Sequence, residues 1–171
     1  MGELDLMGRL VEDLTTLARV GDRVLLKVES LPLDDFVTSI AAMAEPILAG
    51  RLLVDYEITG ATIRADPQRL TQALLNLLQN AAGHGQGDGP VRLRVRAEPA
   101  GWRFEVADTG GGLPPGEEQL VFEPLRTASP RTGRTGLGLA IVRGIARGHG
   151  GESGVVNRPG HGATFWIRIP R

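Results

Sequence analysis

Residues 70–85 read LTQALLNLLQNAAGHG, a stretch in which two asparagines, Asn76 and Asn80, stand four positions apart. Four residues make about one helical turn, so a helix here would carry both amides on one face. Spacings of three and four predict an apolar stripe of Leu74, Leu77, Leu78 and Ala81. Asp66-Pro67 supplies a cap and a first helical residue. The amides fall on one flank of the stripe, where the rim of a pocket would lie.

The segments around this helix predict a fold that mixes helices with hairpins. Residues 91–98 alternate between apolar and charged side chains, turn at 99–101 and return as 102–108. This pattern is typical of a β-hairpin with one buried face, here Val91, Leu93, Val95 and Ala97. Further strands are predicted at 24–28, 52–58, 61–65, 153–156 and 164–169, and further helices at 32–48 and 136–149. We therefore expect an α+β two-layer sandwich, with a mixed, mostly antiparallel sheet packed on three helices.

The N-terminal residues 4–18 have the three-and-four apolar spacing of a helical hairpin or coiled-coil seam. In the predicted helix 32–48, the face toward the core is Ile40, Met43, Ala44 and Ile47.

The composition is that of an ordinary globular domain. The chain has 171 residues, 42% hydrophobic and 23% charged, with a net charge of −1. This balance gives no indication of nucleic-acid or membrane binding. There is no cysteine, so disulfides and thiolate metal sites are excluded. No apolar run approaches the roughly 20 residues that span a bilayer, and we expect a cytoplasmic location.

Asp108 is the second candidate functional residue. It has the parity of the apolar positions Trp102, Phe104 and Val106, which predicts an inward carboxylate that needs a donor. Gly110, Gly111 and Gly112 follow it, and glycines let a ligand approach the backbone closely. The amine of a purine would suit such an acid. The alternative is that Asp-Thr-Gly only begins a turn.

A second glycine cluster, residues 133–139 (GRTGLGL), runs directly into an apolar helix. The N-terminus of a helix presents free N–H groups that suit phosphates, although a flexible loop before a capped helix is the simpler alternative. The motif is not a Walker loop or a protein-kinase lysine site, because the only lysine is Lys27 in RVLLKVES. The three histidines, His84, His149 and His161, lack metal-ligand spacing and are predicted to be solvated loop residues.

Four motifs in order resemble the nucleotide-binding boxes of one family. They are the asparagine helix, residues 108–114 (DTGGGLP), residues 121–125 (VFEPL) and residues 135–142 (TGLGLAIV). They are similar to the N, first glycine, F and second glycine boxes of the ATP-binding catalytic domain of bacterial sensor histidine kinases, within the Bergerat-fold ATPases. The resemblance covers residues 31–170. Residues 1–22 are similar to the second helix of the dimerisation and phosphotransfer hairpin, and residues 23–171 to the catalytic domain.

The resemblance implies ATP and Mg²⁺ as cofactors and a role for each matched residue. Asn80 would hold Mg²⁺, and Asn76 would support the phosphates or the metal shell. Asp108 would accept from the adenine amine, with Thr164 nearby through water. By the same resemblance, Gly110 and Gly112 would form the wall beside adenine, and Phe122 would be the hinge of a lid at about 121–135. The loop around the phosphates would consist of Thr135, Gly136, Leu137, Gly138 and Leu139.

The sequence departs from the family pattern in three places. Gly83 stands where a basic residue is expected, and Arg134 where the second glycine box often begins; lid arginines, Arg126, Arg131 or Arg134, are candidates to replace the missing contact. Each histidine is followed by glycine, so no residue fits the phosphoacceptor and no catalytic residue is assigned. The chain is therefore expected to be a piece of a longer kinase, or part of a naturally split kinase.

The implied function is transfer of the γ-phosphoryl group of Mg-ATP to a histidine in trans, within a two-component system. The implied partners are a histidine-bearing dimerisation and phosphotransfer domain and, indirectly, a response regulator, with no nucleic acid and no membrane contact. Two alternatives remain. A weak ATPase is disfavoured because the hydrolases of the wider group carry glutamate where this chain has Asn76, and an amide cannot act as a general base. The other is a nucleotide-binding adaptor without transfer activity.

Overall fold

The computed structural model describes residues 26–56, 60–84, 89–125 and 135–171. In chain order its elements are β1 (Glu29–Pro32), α1 (Leu33–Leu48), β2 (Leu52–Tyr56), β3 (Thr62–Ala65), α2 (Pro67–His84), β4 (Val91–Glu98), β5 (Gly101–Ala107), a 3-10 turn (Leu120–Phe122), α3 (Gly138–Gly148), β6 (Glu152–Asn157) and β7 (Ala163–Ile169). The predicted helix at 4–18 lies outside the described residues. Within them, no helix is both long enough and apolar enough to cross a membrane.

One five-stranded sheet forms the first layer, in the order β2-β4-β5-β7-β6. β2 and β4 are parallel, and the other neighbours are antiparallel. β1 and β3 form a separate antiparallel pair. The three described helices make the second layer, so the expected α+β sandwich with a mixed, mostly antiparallel sheet is confirmed.

The core lies between the helices and the inner face of the sheet. Leu74, Leu77 and Leu78 of α2 are fully or almost fully buried, as the helical spacing predicts. The ring of Phe36 on α1 meets that of Phe104 on β5 edge-on, with centroids 6.3 Å apart. Such a pair adds about 0.5–1.5 kcal/mol to the burial of its area and fixes how α1 is rotated on the sheet.

The outer face of the sheet is a solvent-facing layer of paired charges. Nε of Arg94 lies 2.9 Å from Asp55, and Nε of Arg103 lies 2.8 Å from Glu105. The guanidinium of Arg103 also stacks 4.1 Å from the centre of the Trp166 ring. The arginines of the alternating hairpin are thus satisfied on the sheet surface, away from the helices.

Three sequence predictions about these elements were wrong in detail. The strand placed at 24–28 begins instead at Glu29 in the described residues, because Lys27 gives its backbone N–H to the Asp66 carboxylate at 2.9 Å. Met43 is 50% exposed: α1 buries the stripe Leu33, Phe36, Val37, Ile40, Ala44 and Leu48 instead. Ala97 is exposed, since it lies next to the hairpin turn beyond the helices.

His149 is not the solvated loop residue that the sequence predicted. It caps the C-terminus of α3 and is half-buried. Its Nε2 accepts the backbone N–H of Asp66 at 3.0 Å, and its Nδ1 lies 2.8 Å from the carbonyl oxygen of Ile145. Because Nε2 accepts, the ring proton is on Nδ1 and is donated to that carbonyl. One imidazole therefore ties the end of α3 to the start of α2, whose cap is Asp66. His161, by contrast, is exposed as predicted.

We expect His149→Ala to destabilise the fold by about 1–3 kcal/mol, because it leaves the N–H of buried Asp66 without an acceptor. Urea unfolding followed by circular dichroism would measure the loss. His161→Ala is the matched control and should change the free energy of unfolding by less than about 0.5 kcal/mol. Equal effects of the two substitutions would show that the imidazole bridge contributes nothing.

Candidate functional site

The asparagine helix and the second glycine cluster meet at Asn76. The side-chain Nδ2 of Asn76 is buried and has no hydrogen-bond partner among the described residues. A Cβ built on Gly138 would lie 3.6 Å from Cγ of Asn76, an ordinary contact, so the amide sits directly beside the start of α3. Asn80 is half-buried one turn further along α2. A buried donor left unsatisfied costs about 1–3 kcal/mol, which a ligand acceptor at this point would recover.

In the described residues, the N-terminus of α3 has the features of an anion site. The helix begins at Gly138 after Leu137, and no side chain of the described residues caps it. Its first N–H groups have no partner within the helix. Gly136 has φ +69°, a conformation that favours glycine, and the Thr135 hydroxyl accepts the N–H of Leu137 at 3.3 Å. The unpartnered amide of Asn76 therefore stands beside a positive helix end, and the pair suits a phosphate group.

Leu137 and Leu139 hold this terminus to the rest of the molecule. Leu137 is fully buried and Leu139 is partly buried against the core. Their side chains therefore fix the backbone of α3 and leave its N–H groups for a ligand.

Asp108 has the inward orientation that its parity predicts. Its residue is 9% exposed, and Oδ1 accepts the N–H groups of Gly110 at 2.8 Å and Ala163 at 3.4 Å. Both of these hydrogen bonds, made within the described residues, use the same oxygen. Oδ2 is thus the atom with acceptor capacity for a ligand, and a ligand amine would complete it.

The glycines near Asp108 are required by close packing of the backbone. Gly112 has φ +74°, and a Cβ there would lie 2.8 Å from Oδ1 of Asn157. Gly162 has φ +92°, and a Cβ there would lie only 2.1 Å from the carbonyl oxygen of Asp108. Any side chain at either position would push the loop away from the acid.

Thr164 is not brought to the Asp108 carboxylate. It pairs with Ala107 and belongs to the half-buried, outward set of β7, whereas its neighbours Ala163 and Phe165 face the core. The Asp108 side chain lies on the inward side of the sheet, like those of Phe104 and Val106. The N–H of Ala163, the residue before Thr164, is one of the donors that the inward carboxylate of Asp108 requires.

Phe122 anchors the start of the predicted lid to the core. It is 2% exposed, its ring centroid lies 6.2 Å from that of Phe165, and the Arg143 guanidinium lies 5.1 Å from its ring centre. The segment it begins is described as far as Leu125, which is 65% exposed. The predicted lid arginines 126, 131 and 134 lie outside the described residues, as do residues 85–88 after the asparagine helix.

The two halves of the site are joined where the chain returns from α2. Gly89, just before β4, packs against Thr109, and a Cβ at Gly89 would lie 2.1 Å from the Thr109 hydroxyl oxygen. The loop that begins at Asp108 therefore lies against the segment that follows the asparagine helix. One half offers Asn76, Asn80 and the α3 terminus, and the other offers Asp108 and its glycines.

Sequence reasoning missed Asn157. This residue ends β6 and holds the backbone of Leu113 through both side-chain polar atoms, at 2.8 and 2.9 Å. The signal available was weak: an asparagine between a strand and an Arg-Pro-Gly turn. Such a residue is ordinary in turns, and its partner is 44 residues away.

The chain matches a protein-family model. The model described as "Histidine kinase-, DNA gyrase B-, and HSP90-like ATPase" matches residues 65–171. Among curated proteins, the sensor histidine kinase MtrB of Mycobacterium leprae (strain TN) is 37% identical over 180 residues, covering 99% of this chain and 32% of MtrB.

Solved structures agree with this match. Full-length ShkA in complex with AMPPNP superposes with a TM-score of 0.81 at 32% identity, covering 95% of this chain and 35% of that chain. The catalytic domain of the histidine kinase ThkA, in a nucleotide-free form, gives a TM-score of 0.75 at 25% identity, covering 85% of this chain and 96% of that domain. The chain thus spans about a third of the length of MtrB and of ShkA.

Proposed function

The chain belongs to the family of histidine kinase-, DNA gyrase B- and HSP90-like ATPases, and from this membership we propose that it binds Mg-ATP and transfers the γ-phosphoryl group to a histidine on a separate segment or chain. Catalysis of this kind is mostly positioning and stabilisation of charge on the transferred group. The chain would supply the nucleotide site, and the partner would supply the nucleophile.

The adenine would lie against the Asp108 half of the site. Oδ2 of Asp108 would accept from the exocyclic amine, while Oδ1 stays bonded to Gly110 and Ala163. The loop through Gly112 would form the wall along the base. Guanine carries an oxygen in place of the amine and would meet the carboxylate as acceptor against acceptor, so the site would prefer ATP.

The triphosphate would lie between α2 and the start of α3. Nδ2 of Asn76 and the N–H groups of the first turn of α3 would donate to phosphate oxygens. The side-chain oxygen of Asn80 would complete the magnesium coordination. One neutral oxygen is a weak ligand, so Mg²⁺ would arrive with the nucleotide and keep several waters. Bound there, the ion would neutralise charge on the phosphates.

The buried amide of Asn76 is the observation that favours transfer over hydrolysis. An amide at this position cannot take a proton from water. Its Nδ2 has no partner among the described residues, so it is available as a donor to the phosphates. We therefore propose a kinase-type site in which hydrolysis is slow, and in which the acceptor histidine of the partner completes the reaction.

The proposed partners follow from this reaction. A dimerisation and phosphotransfer domain would carry the acceptor histidine, either in the same kinase or on a separate chain, and a response regulator would receive the phosphoryl group from it. We propose a cytoplasmic location for this part, whether or not the parent kinase is membrane-anchored, with no contact to nucleic acid or to the membrane.

The experiment is transfer in trans. The chain is incubated with γ-labelled ATP, Mg²⁺ and a histidine-bearing hairpin domain, and we expect acid-labile, base-stable label on the hairpin. A hairpin with the acceptor histidine replaced by glutamine is the control and should stay unlabelled. ATP binding without label on either hairpin would favour the nucleotide-binding adaptor, and rapid phosphate release without a partner would favour the ATPase.

A further inference from the structure

The side-chain amide of Asn157 bonds to the loop of residues 110–113, the glycine loop, in the way that a neighbouring β-strand would. Oδ1 accepts the N–H of Leu113 at 2.8 Å, and Nδ2 donates to the carbonyl of the same residue at 2.9 Å. Both backbone groups of one residue are thus satisfied by one side chain. A carboxamide is suited to this because it offers a donor and an acceptor on adjacent atoms, whereas a carboxylate offers acceptors alone.

The same amide also reaches the segment that leads to Phe122. Nδ2 of Asn157 donates to Oε1 of Glu118 at 3.0 Å. This hydrogen bond lowers the pKa of Glu118, which therefore stays a carboxylate at neutral pH. Glu118 lies two residues before the 3-10 turn, and the N–H of Val121 in that turn bonds to the carbonyl of Glu117 at 3.0 Å. Asn157 is therefore bonded to both the glycine loop and the approach to the Phe122 turn.

Backbone contacts seat the loop around this amide. The N–H of Gly160 donates to the carbonyl of Gly111 at 2.7 Å. Gly112, with φ +74°, brings its Cα so close to Asn157 that a Cβ would lie 2.8 Å from Oδ1. The loop thus rests on the β6–β7 connection, and the Asn157 side chain holds its far end.

We propose that Asn157 is a positioning residue of the nucleotide site: it fixes the loop from Gly110 to Leu113 at the distance that adenine requires and sets the approach to the Phe122 turn from the same atom. This inference rests on the proposed function for the identity of the ligand. The hydrogen bonds of Asn157 to Leu113 and Glu118, together called the Asn157 clamp, do not depend on the identity of the ligand.

The decisive substitution is Asn157→Asp, which exchanges one nitrogen for oxygen. The introduced carboxylate can still accept the N–H of Leu113, but it faces the Leu113 carbonyl and the Glu118 carboxylate as acceptor against acceptor. By calorimetry we expect Mg-ATP to bind at least about tenfold more weakly. Asn157→Ser, which removes the long amide without adding charge, should weaken binding in the same direction by a smaller factor.

A second substitution tests the contact by rescue. Glu118→Gln alone should change the ATP Kd by less than about twofold, because the introduced amide oxygen still accepts from Asn157. In the double variant Asn157→Asp/Glu118→Gln, the introduced amide donates to the introduced carboxylate, whereas the Leu113 carbonyl still faces an acceptor, so part of the lost affinity should return. Glu117→Gln combined with Asn157→Asp is the matched control and should not rescue. If Asn157 only stabilised the fold, Glu118→Gln would restore no more ATP affinity than Glu117→Gln does.

Hydrogen exchange of the nucleotide-free protein gives an independent readout. The amides of Gly110 and Leu113, which bond to the side chains of Asp108 and Asn157, should be protected in the wild type, lose protection in Asn157→Asp and regain part of it in the double variant. Wild-type protection and affinity in Asn157→Asp, or a double variant no better than the single one, would overturn the proposal. If the wild type took up no ATP but the exchange pattern held, the proposed nucleotide function would fail and the clamp would stand.

Discussion

Asn80→Ala should abolish magnesium-dependent ATP binding and leave the fold intact. Asn80 is half-buried on α2, and alanine is a good helix former, so the helix is expected to persist. The substitution removes the side-chain oxygen that we assign to Mg²⁺. Without it the metal would be held by phosphate and water alone, and we expect the Kd of Mg-ATP to rise by at least about 100-fold.

The measurement is calorimetric titration with ATP in the presence of Mg²⁺ and again in EDTA. Gln79→Ala, at the exposed neighbouring position, is the control and should leave both titrations unchanged. Because the Asp108 half of the site does not depend on the metal, the residual binding in EDTA should be the same for Asn80→Ala and the wild type. Unchanged affinity for Mg-ATP in Asn80→Ala would remove Asn80 from the metal shell.

Several predictions that depend on local periodicity are confirmed, although those for Met43 and Ala97 are wrong. The helix at Pro67–His84 follows from its three-and-four spacing and its Asp66-Pro67 start. The inward direction of Asp108 follows from its parity with Phe104 and Val106, and β4 and β5 follow from strict alternation. In each case the spacing of a few neighbouring residues determines the local structure, so the structure can be predicted from the sequence alone.

Other features could not be predicted because they depend on contacts between residues that are distant in the sequence. The prediction that His149 is solvated was wrong, because its hydrogen-bond partner Asp66 is 83 residues away in the sequence. The resemblance implies Thr164 near Asp108 through water, and that role stays a prediction, because the register with Ala107 places the Thr164 side chain on the outward face of β7. Strand register and contacts between distant loops depend on how the whole domain packs. They therefore cannot be predicted from the spacing of residues in a single sequence.

Asn157 and Asn76 show how the two kinds of information combine. Asn76 was predicted from spacing alone, but its buried, unpartnered Nδ2 and its contact with Gly138 emerge only in three dimensions. Asn157 lacks any motif, and its importance lies entirely in the Leu113 and Glu118 contacts. In the proposed site, Asn76 would belong to the half that binds the phosphates and Asn157 to the half that binds adenine.

Asp108→Asn should weaken ATP binding by about 10–100-fold, a loss of the size expected for a hydrogen bond to a charged group. In the wild type, Oδ1 is held by the N–H groups of Gly110 and Ala163, and Oδ2 would accept from the ligand in the proposed site. The introduced amide has a single oxygen. If that oxygen stays with Gly110, its NH₂ group meets the adenine amine as donor against donor; if it turns to the ligand, the NH₂ group meets two backbone N–H groups instead.

Base selectivity separates this role from a general loss of stability. The wild type should bind ATP more tightly than GTP, and the preference should narrow or reverse in Asp108→Asn, because the introduced NH₂ group can donate to the guanine oxygen. Asp35→Asn, an exposed acid on the first turn of α1, is the control and should keep the wild-type preference. Equal wild-type affinity for the two nucleotides, by competition calorimetry with Mg²⁺ present, would contradict the assignment of Asp108 to the adenine amine, because a carboxylate acceptor cannot be indifferent to whether it faces a donor or another acceptor.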